Sequence, residues 1–232
     1  MSSPFTPPVS RSSVSPLTRS AMSQVYVLLG GALLFTLLGV GLGSTVLLPF
    51  VTGPAMLLLF IVEIGLIFTS TLWSRVSPWN YLLFFAFPLI SGLTLTPILL
   101  MYASQYVNGI GIITNALVAT VLLTFASAVV SSMIRTDIWG TFGLFMMQAL
   151  IGLILFGLVQ LFFPSLRGPG SEMIVSSIGV VLFAVFLAAD FQRLSRMGGM
   201  NPFMMAISIY LDIFNLFLYV LRFMGTLSGR NH

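Results

Sequence analysis

FLAADFQRLSRMGGMNPFMMAISIYLDIFNLFLY, residues 186–219, is two apolar runs separated by a short connection that holds Gly198-Gly199 and Asn201-Pro202. Turn residues of this kind end one helix and start the next. The runs extend over residues 173–194 and 202–225, and each reaches the roughly 20 apolar residues that cross a hydrocarbon core about 30 Å thick. A hairpin of two membrane helices is the predicted unit. Each arm nevertheless carries an aspartate, Asp190 and Asp212, in a chain of 232 residues with five acidic side chains in all.

The rest of the sequence repeats the apolar pattern. Hydrophobic residues make up 58% and charged residues 6%, against about a quarter charged in an ordinary soluble domain. Seven apolar runs stand out, near residues 24–48, 54–74, 79–101, 110–133, 138–163, 173–194 and 202–225. Backbone groups in lipid must be bonded internally, and runs this long lack the alternation of a membrane β-barrel. The expected fold is therefore all-α, a single seven-helix membrane domain over residues 23–226. Residues 1–22, rich in Ser and Pro with Arg11 and Arg19, read as a flexible tail, and residues 227–232 as a short C-terminal one. The first apolar run is too long for a cleaved secretory signal and reads as a retained helix.

Charge placement predicts orientation. All nine basic residues are arginine; six (Arg11, Arg19, Arg75, Arg135, Arg193, Arg196) fall in the tail and after the second, fourth and sixth runs, and three (Arg167, Arg222, Arg230) on the other side. The positive-inside bias then predicts a cytoplasmic N-terminus. The last run, with Asp212, Asn215 and Arg222, is open to two readings, a spanning helix or a re-entrant one. The basic balance reflects this bias and predicts no nucleic-acid partner; the expected surroundings are the bilayer and other membrane proteins.

Catalytic chemistry has few candidates. Cysteine is absent, which removes thiolate sites, and the single histidine is His232. The LGVGLG run at 38–43 sits inside an apolar run, where Gly39 and Gly43 read as small residues that let a second helix approach. No enzyme and no cofactor are expected.

Buried acids remain. A carboxylate at the bilayer centre costs at least about 2.5 kcal/mol on insertion scales, so it is paired, proton-bearing or in contact with water. Glu63, Asp190 and Asp212 meet that description; Asp137 and Glu172 sit at helix starts, where the helix dipole favours an acid. Glu63 lies nine residues beyond Pro54, roughly 13 Å into its helix. Asp190 and Asp212 lie at comparable depth on antiparallel neighbours. Arg193 and Asn215, each three residues on, are their local partners. One reading makes the aspartates structural, an interfacial ion pair and an inter-helix hydrogen bond. The other makes them a dyad that shares protons and, when charged, attracts a cation, hard oxygens suiting Ca2+.

SIYLDIFNLFLYVLRFMG (208–225), FLAADFQRL (186–194), ISGLTLTPILLMY (90–102) and IRTDIWGTFGLFMMQALIGLI (134–154) resemble the Bax inhibitor-1 family, in its bacterial form. The resemblance spans about residues 24–225. It implies seven helices and a pH-sensitive calcium leak, with Asp190 and Asp212 as a di-aspartyl pH sensor, H+ as regulator and Ca2+ as the ion carried. It also implies a counter-charge from the second helix, here Arg75, beside Arg193, and Glu63 is a candidate acid on the ion pathway. The competing reading is a non-transporting membrane regulator that binds other membrane proteins or a membrane protease. Intramembrane aspartyl proteases also place aspartates on neighbouring helices, but their Tyr-Asp and Gly-x-Gly-Asp motifs are missing here. Compactness and short loops point to a bacterial inner membrane.

Overall fold

The computed structural model describes residues 16–196 and 200–228. It is helical throughout, with no strand among the described residues. In chain order the helices are α1 (Pro16–Ser44), α2 (Leu48–Val51), α3 (Ala55–Phe68), α4 (Ser70–Trp73), α5 (Trp79–Gln105), α6 (Gly109–Met133), α7 (Ile138–Phe162), α8 (Pro169–Ser195) and α9 (Pro202–Leu227). The first helix starts at Pro16, inside the stretch read from the sequence as tail. Arg11, Arg230 and His232 lie outside the described residues.

Six helices are long and apolar enough to cross a bilayer: α1, α5, α6, α7, α8 and α9. The last is one continuous helix of 26 residues, unbroken at Asp212, Asn215 and Arg222. The second apolar run departs from the expectation of a seventh long helix. It is broken into α3, of 14 residues, and the single turn of α4; at 1.5 Å per residue α3 is roughly 21 Å long. The break falls at Thr69, whose hydroxyl donates to Gly65 O at 2.7 Å. Trp73 Nε1 reaches back to Leu66 O at 3.1 Å and helps satisfy carbonyls near the break. Hydroxyl and indole groups that bond the backbone locally compete with a straight helix.

Short connections alternate the direction of successive long helices, which gives the bundle two ends. One end holds the α4–α5, α6–α7 and α8–α9 connections with Arg75, Arg135 and Arg196. The other holds the α5–α6 and α7–α8 connections with Arg167. At the centre stands α9, packed on α8, α1, α6 and α5, while α7 packs mainly on α8. Leu144, Phe145 and Ile154 of α7 are exposed, as are Leu57, Leu58 and Ile61 of α3. Such outward-facing apolar side chains suit lipid as solvent.

The tightest seam joins α1 to α5. A Cβ placed on Gly92 would overlap the Thr36 carbonyl and come within 2.9 Å of Gly39 Cα; one on Gly43 would come within 3.0 Å of Thr96 Cβ. The small-residue reading of Gly39 and Gly43 therefore describes this contact, with α5 as the helix admitted. Backbone-to-backbone approach of this kind replaces hydrophobic driving force, which lipid does not supply.

Candidate functional site

Asp190 and Asp212 are both buried, at 1% and 8% exposure, on the two helices whose seam runs along the middle of the bundle. Asp190 follows Leu187, Ala188 and Ala189, and Asp212 follows Ile209 and Tyr210, all of them buried too. The small alanines bring α8 close to its neighbours and leave the carboxylates in an apolar wall. Asp190 on α8 and Asp212 on α9 stand on helices that pack directly against each other. Asp190 Oδ1 accepts from Trp139 Nε1 at 3.2 Å and from Arg193 Nη1 at 3.3 Å. Arg193 in turn lies over the Trp139 ring, 5.2 Å from its centroid. Asp190 Oδ2 and Asp212 Oδ2 are buried with no hydrogen-bond partner among the described residues.

That last feature decides what the site can do. An unpaired polar atom in a low-dielectric interior is costly, and two neighbouring carboxylates resist carrying charge together. A proton on one aspartate relieves that repulsion.

Partners differ in part from those expected. Arg193 supplies the counter-charge, whereas Arg75 is exposed in the turn after α4 and forms no ion pair with a described carboxylate. Asn215 Nδ2 bonds Leu211 O of its own helix at 2.8 Å instead of Asp212. The sequence reading missed Trp139 and Gln192. Buried Gln192 accepts from Ile138 N–H at 2.9 Å and donates to Ile134 O at 2.9 Å and Thr136 O at 2.8 Å. It thereby pins the α6–α7 connection to α8 and holds Trp139 against Asp190. Gln192→Leu strands three backbone groups, and thermal unfolding in detergent should register a loss of about 1–3 kcal/mol.

Glu63 belongs to a second polar group, on α3. Its carboxylate accepts from Ser91 Oγ at 2.5 Å and Thr94 Oγ1 at 3.1 Å, both on α5. Tyr210, two residues before Asp212, shares a hydrogen bond of 2.8 Å with Thr36 of α1 and also meets Ser91. Four helices thus meet at one cluster of hydroxyls and a carboxylate within the apolar bundle.

Asp137 stands just before α7, as a helix-start acid should. Glu172 is in the first turn of α8, but it does more: it forms an ion pair with Arg222 of α9. Arg222, charged in an apolar helix, was the signal that such a partner had to exist.

As a resident metal centre the acid pair is a poor fit. No group of three or more His, Asp or Glu gathers among the described residues, and Ca2+ takes about six to eight oxygens.

Comparison with known proteins gives a consistent picture. A family profile described as "Inhibitor of apoptosis-promoting Bax1" matches residues 18–229. An uncharacterized protein of Campylobacter jejuni is 31% identical over 211 residues, 90% of this chain and 89% of its own length. Mouse protein lifeguard 4 is 32% identical over 179 residues, 76% of this chain and 71% of its own length. An inner membrane protein of Escherichia coli, YbhL, is 30% identical over 155 residues, 62% of each chain.

Proposed function

Since the chain belongs to the Bax inhibitor-1 family of membrane proteins, we propose that it is a pH-sensitive, Ca2+-permeable leak whose gate is the protonation state of Asp190 and Asp212. The observation that carries this reading is the pair of buried carboxylate oxygens without partners among the described residues, on helices that pack directly against each other. With charge on the pair, the seam between α8 and α9 holds a cation-attracting site balanced by Arg193. Full protonation removes that charge, weakens the Asp190–Arg193 pair and lets the two helices repack.

On this reading the arginine-richer end, with Arg75, Arg135 and Arg196, is the cytoplasmic one. The membrane on this reading is a bacterial inner membrane, in keeping with the name of the Escherichia coli relative. The test is Ca2+ entry into dye-loaded liposomes at several pH values. Flux that responds to pH supports the proposal. Absence of flux, together with co-purification of a membrane protein, supports the regulator reading in its place.

Glu63 lies on the same cation route. Glu63→Gln removes the charge and keeps one acceptor oxygen for Ser91 or Thr94, its amide NH2 facing the other hydroxyl as a donor, so flux should fall by about tenfold, the order expected from losing about 1.4 kcal/mol of cation stabilisation, while stability should change by no more than about 1.5 kcal/mol. Unchanged flux in this variant would make Glu63 a hydrogen-bonding strut between α3 and α5 and nothing more.

A further inference from the structure

At the end of the bundle opposite the acid pair, a cavity of about 870 Å3 opens between α5, α7, α8 and α9. Glu172, on its wall, is 18 residues along α8 from Asp190, roughly 27 Å away. This is a separate place from the proposed gate. It sits where α5 and α9 end and α8 begins, the depth at which lipid phosphates meet the hydrocarbon core.

Its polar wall is built around Arg222. Nε of that guanidinium bonds Glu172 Oε2, and Nη2 donates to Glu172 Oε1 at 3.1 Å and to Gln160 Oε1 at 3.4 Å. Gln160 is buried, at 2% exposure, and its own amide donates to Glu172 Oε1 and Leu166 O at 3.4 Å each. Arg167, from the α7–α8 connection, lines the same cavity with no ion-pair partner among the described residues. The described lining thus holds two guanidinium groups, of Arg167 and Arg222, and one carboxylate, of Glu172. Met101, Gly157 and Gly225 supply an apolar side.

We propose that this cavity binds a singly charged phosphodiester, held between the Arg167 and Arg222 guanidinium groups, with the apolar side receiving the glycerol and first methylenes of an amphiphile. Planar guanidinium donors match phosphate oxygens in pairs. Basic pockets between membrane helices recognise anionic headgroups in this way. The volume lies within the roughly 300–1,000 Å3 of ordinary ligand sites. The inference is independent of ion conduction and stands or falls without it.

The test uses the full chain in nanodiscs that mix phosphatidylglycerol and phosphatidylcholine, with retained lipid counted by native mass spectrometry. Short-chain phosphatidylglycerol and inorganic phosphate are titrated in parallel. Phosphatidylglycerol should be retained in preference to phosphatidylcholine, and Arg167→Gln should weaken it about tenfold, the order expected for one charge-assisted contact. Inorganic phosphate that binds with the same Arg167 dependence would support the phosphate recognition and identify a free anion as a sufficient ligand. Equal retention of the two lipids overturns the proposal. So does a phosphatidylglycerol preference unchanged in both Arg167→Gln and Arg222→Gln. Arg167 is exposed in a connection, so its variant remains informative even if Arg222→Gln fails to fold.

Discussion

Liposomes that carry Asp190→Asn/Asp212→Asn are expected to show a Ca2+ flux fixed at one level across pH, where the wild-type flux changes strongly. The magnitude follows from linkage: each proton taken up biases a two-state equilibrium by up to about tenfold per pH unit, or about 1.4 kcal/mol. A shared proton is therefore sufficient to shift the gate strongly across the pH range in which the pair titrates. Asparagine keeps the size of each side chain and a donor for the unmet Oδ2 positions, so the bundle should remain folded. Single variants should each blunt the response, because a dyad titrates as a pair. A pH response that survives in the double variant would assign gating to other groups.

The second large effect is on the fold. Gly92→Ala inserts a methyl group where the Thr36 carbonyl already stands, within 2.9 Å of Gly39 Cα. Both neighbours are backbone and cannot rotate away, so α1 and α5 must separate along the seam. Overpacking of this kind costs about 1–3 kcal/mol; Gly92→Leu should exceed that and prevent assembly. Tryptophan fluorescence during thermal unfolding in detergent checks it, and for a chain of this size each kcal/mol moves the midpoint by about 2–4 °C. Displacing α1 also breaks the Thr36–Tyr210 hydrogen bond, so the polar cluster around Glu63 should loosen with it. A midpoint unchanged in Gly92→Ala would mean that the α1–α5 contact is not what holds these helices.

Much of this architecture is legible in the sequence because the bilayer imposes a length. Six of the apolar runs become long helices for that reason alone. The second run does not, and its break depends on Thr69 and Trp73 bonding nearby carbonyls, a local competition that mean hydropathy does not register. Asp190 and Asp212 could be singled out because an acid in an apolar run is conspicuous, and a short connection forces the two helices together. Trp139 and Gln192 could not, since both contact groups more than 50 residues away in sequence, and only packing decides which turn of α7 meets α8. Ser91 and Thr94 were hidden for a different reason. Hydroxyls in a helix can satisfy themselves on their own backbone, as both also do here, so nothing in the sequence demands a carboxylate partner. Glu172 looked complete as a helix-start acid, and the unanswered charge was Arg222.

The central claim is that Asp190 and Asp212 share protons and that this sharing sets the state of the α8–α9 seam. Infrared difference spectroscopy of the reconstituted protein reads protonated carboxyl groups directly as pH is stepped. The account predicts a carboxyl band that titrates over the same pH range as the flux, and that is altered by Asp190→Asn and by Asp212→Asn alike. A band that titrates unchanged in both variants, or two independent bands that each vanish in one variant without affecting the other, would contradict it.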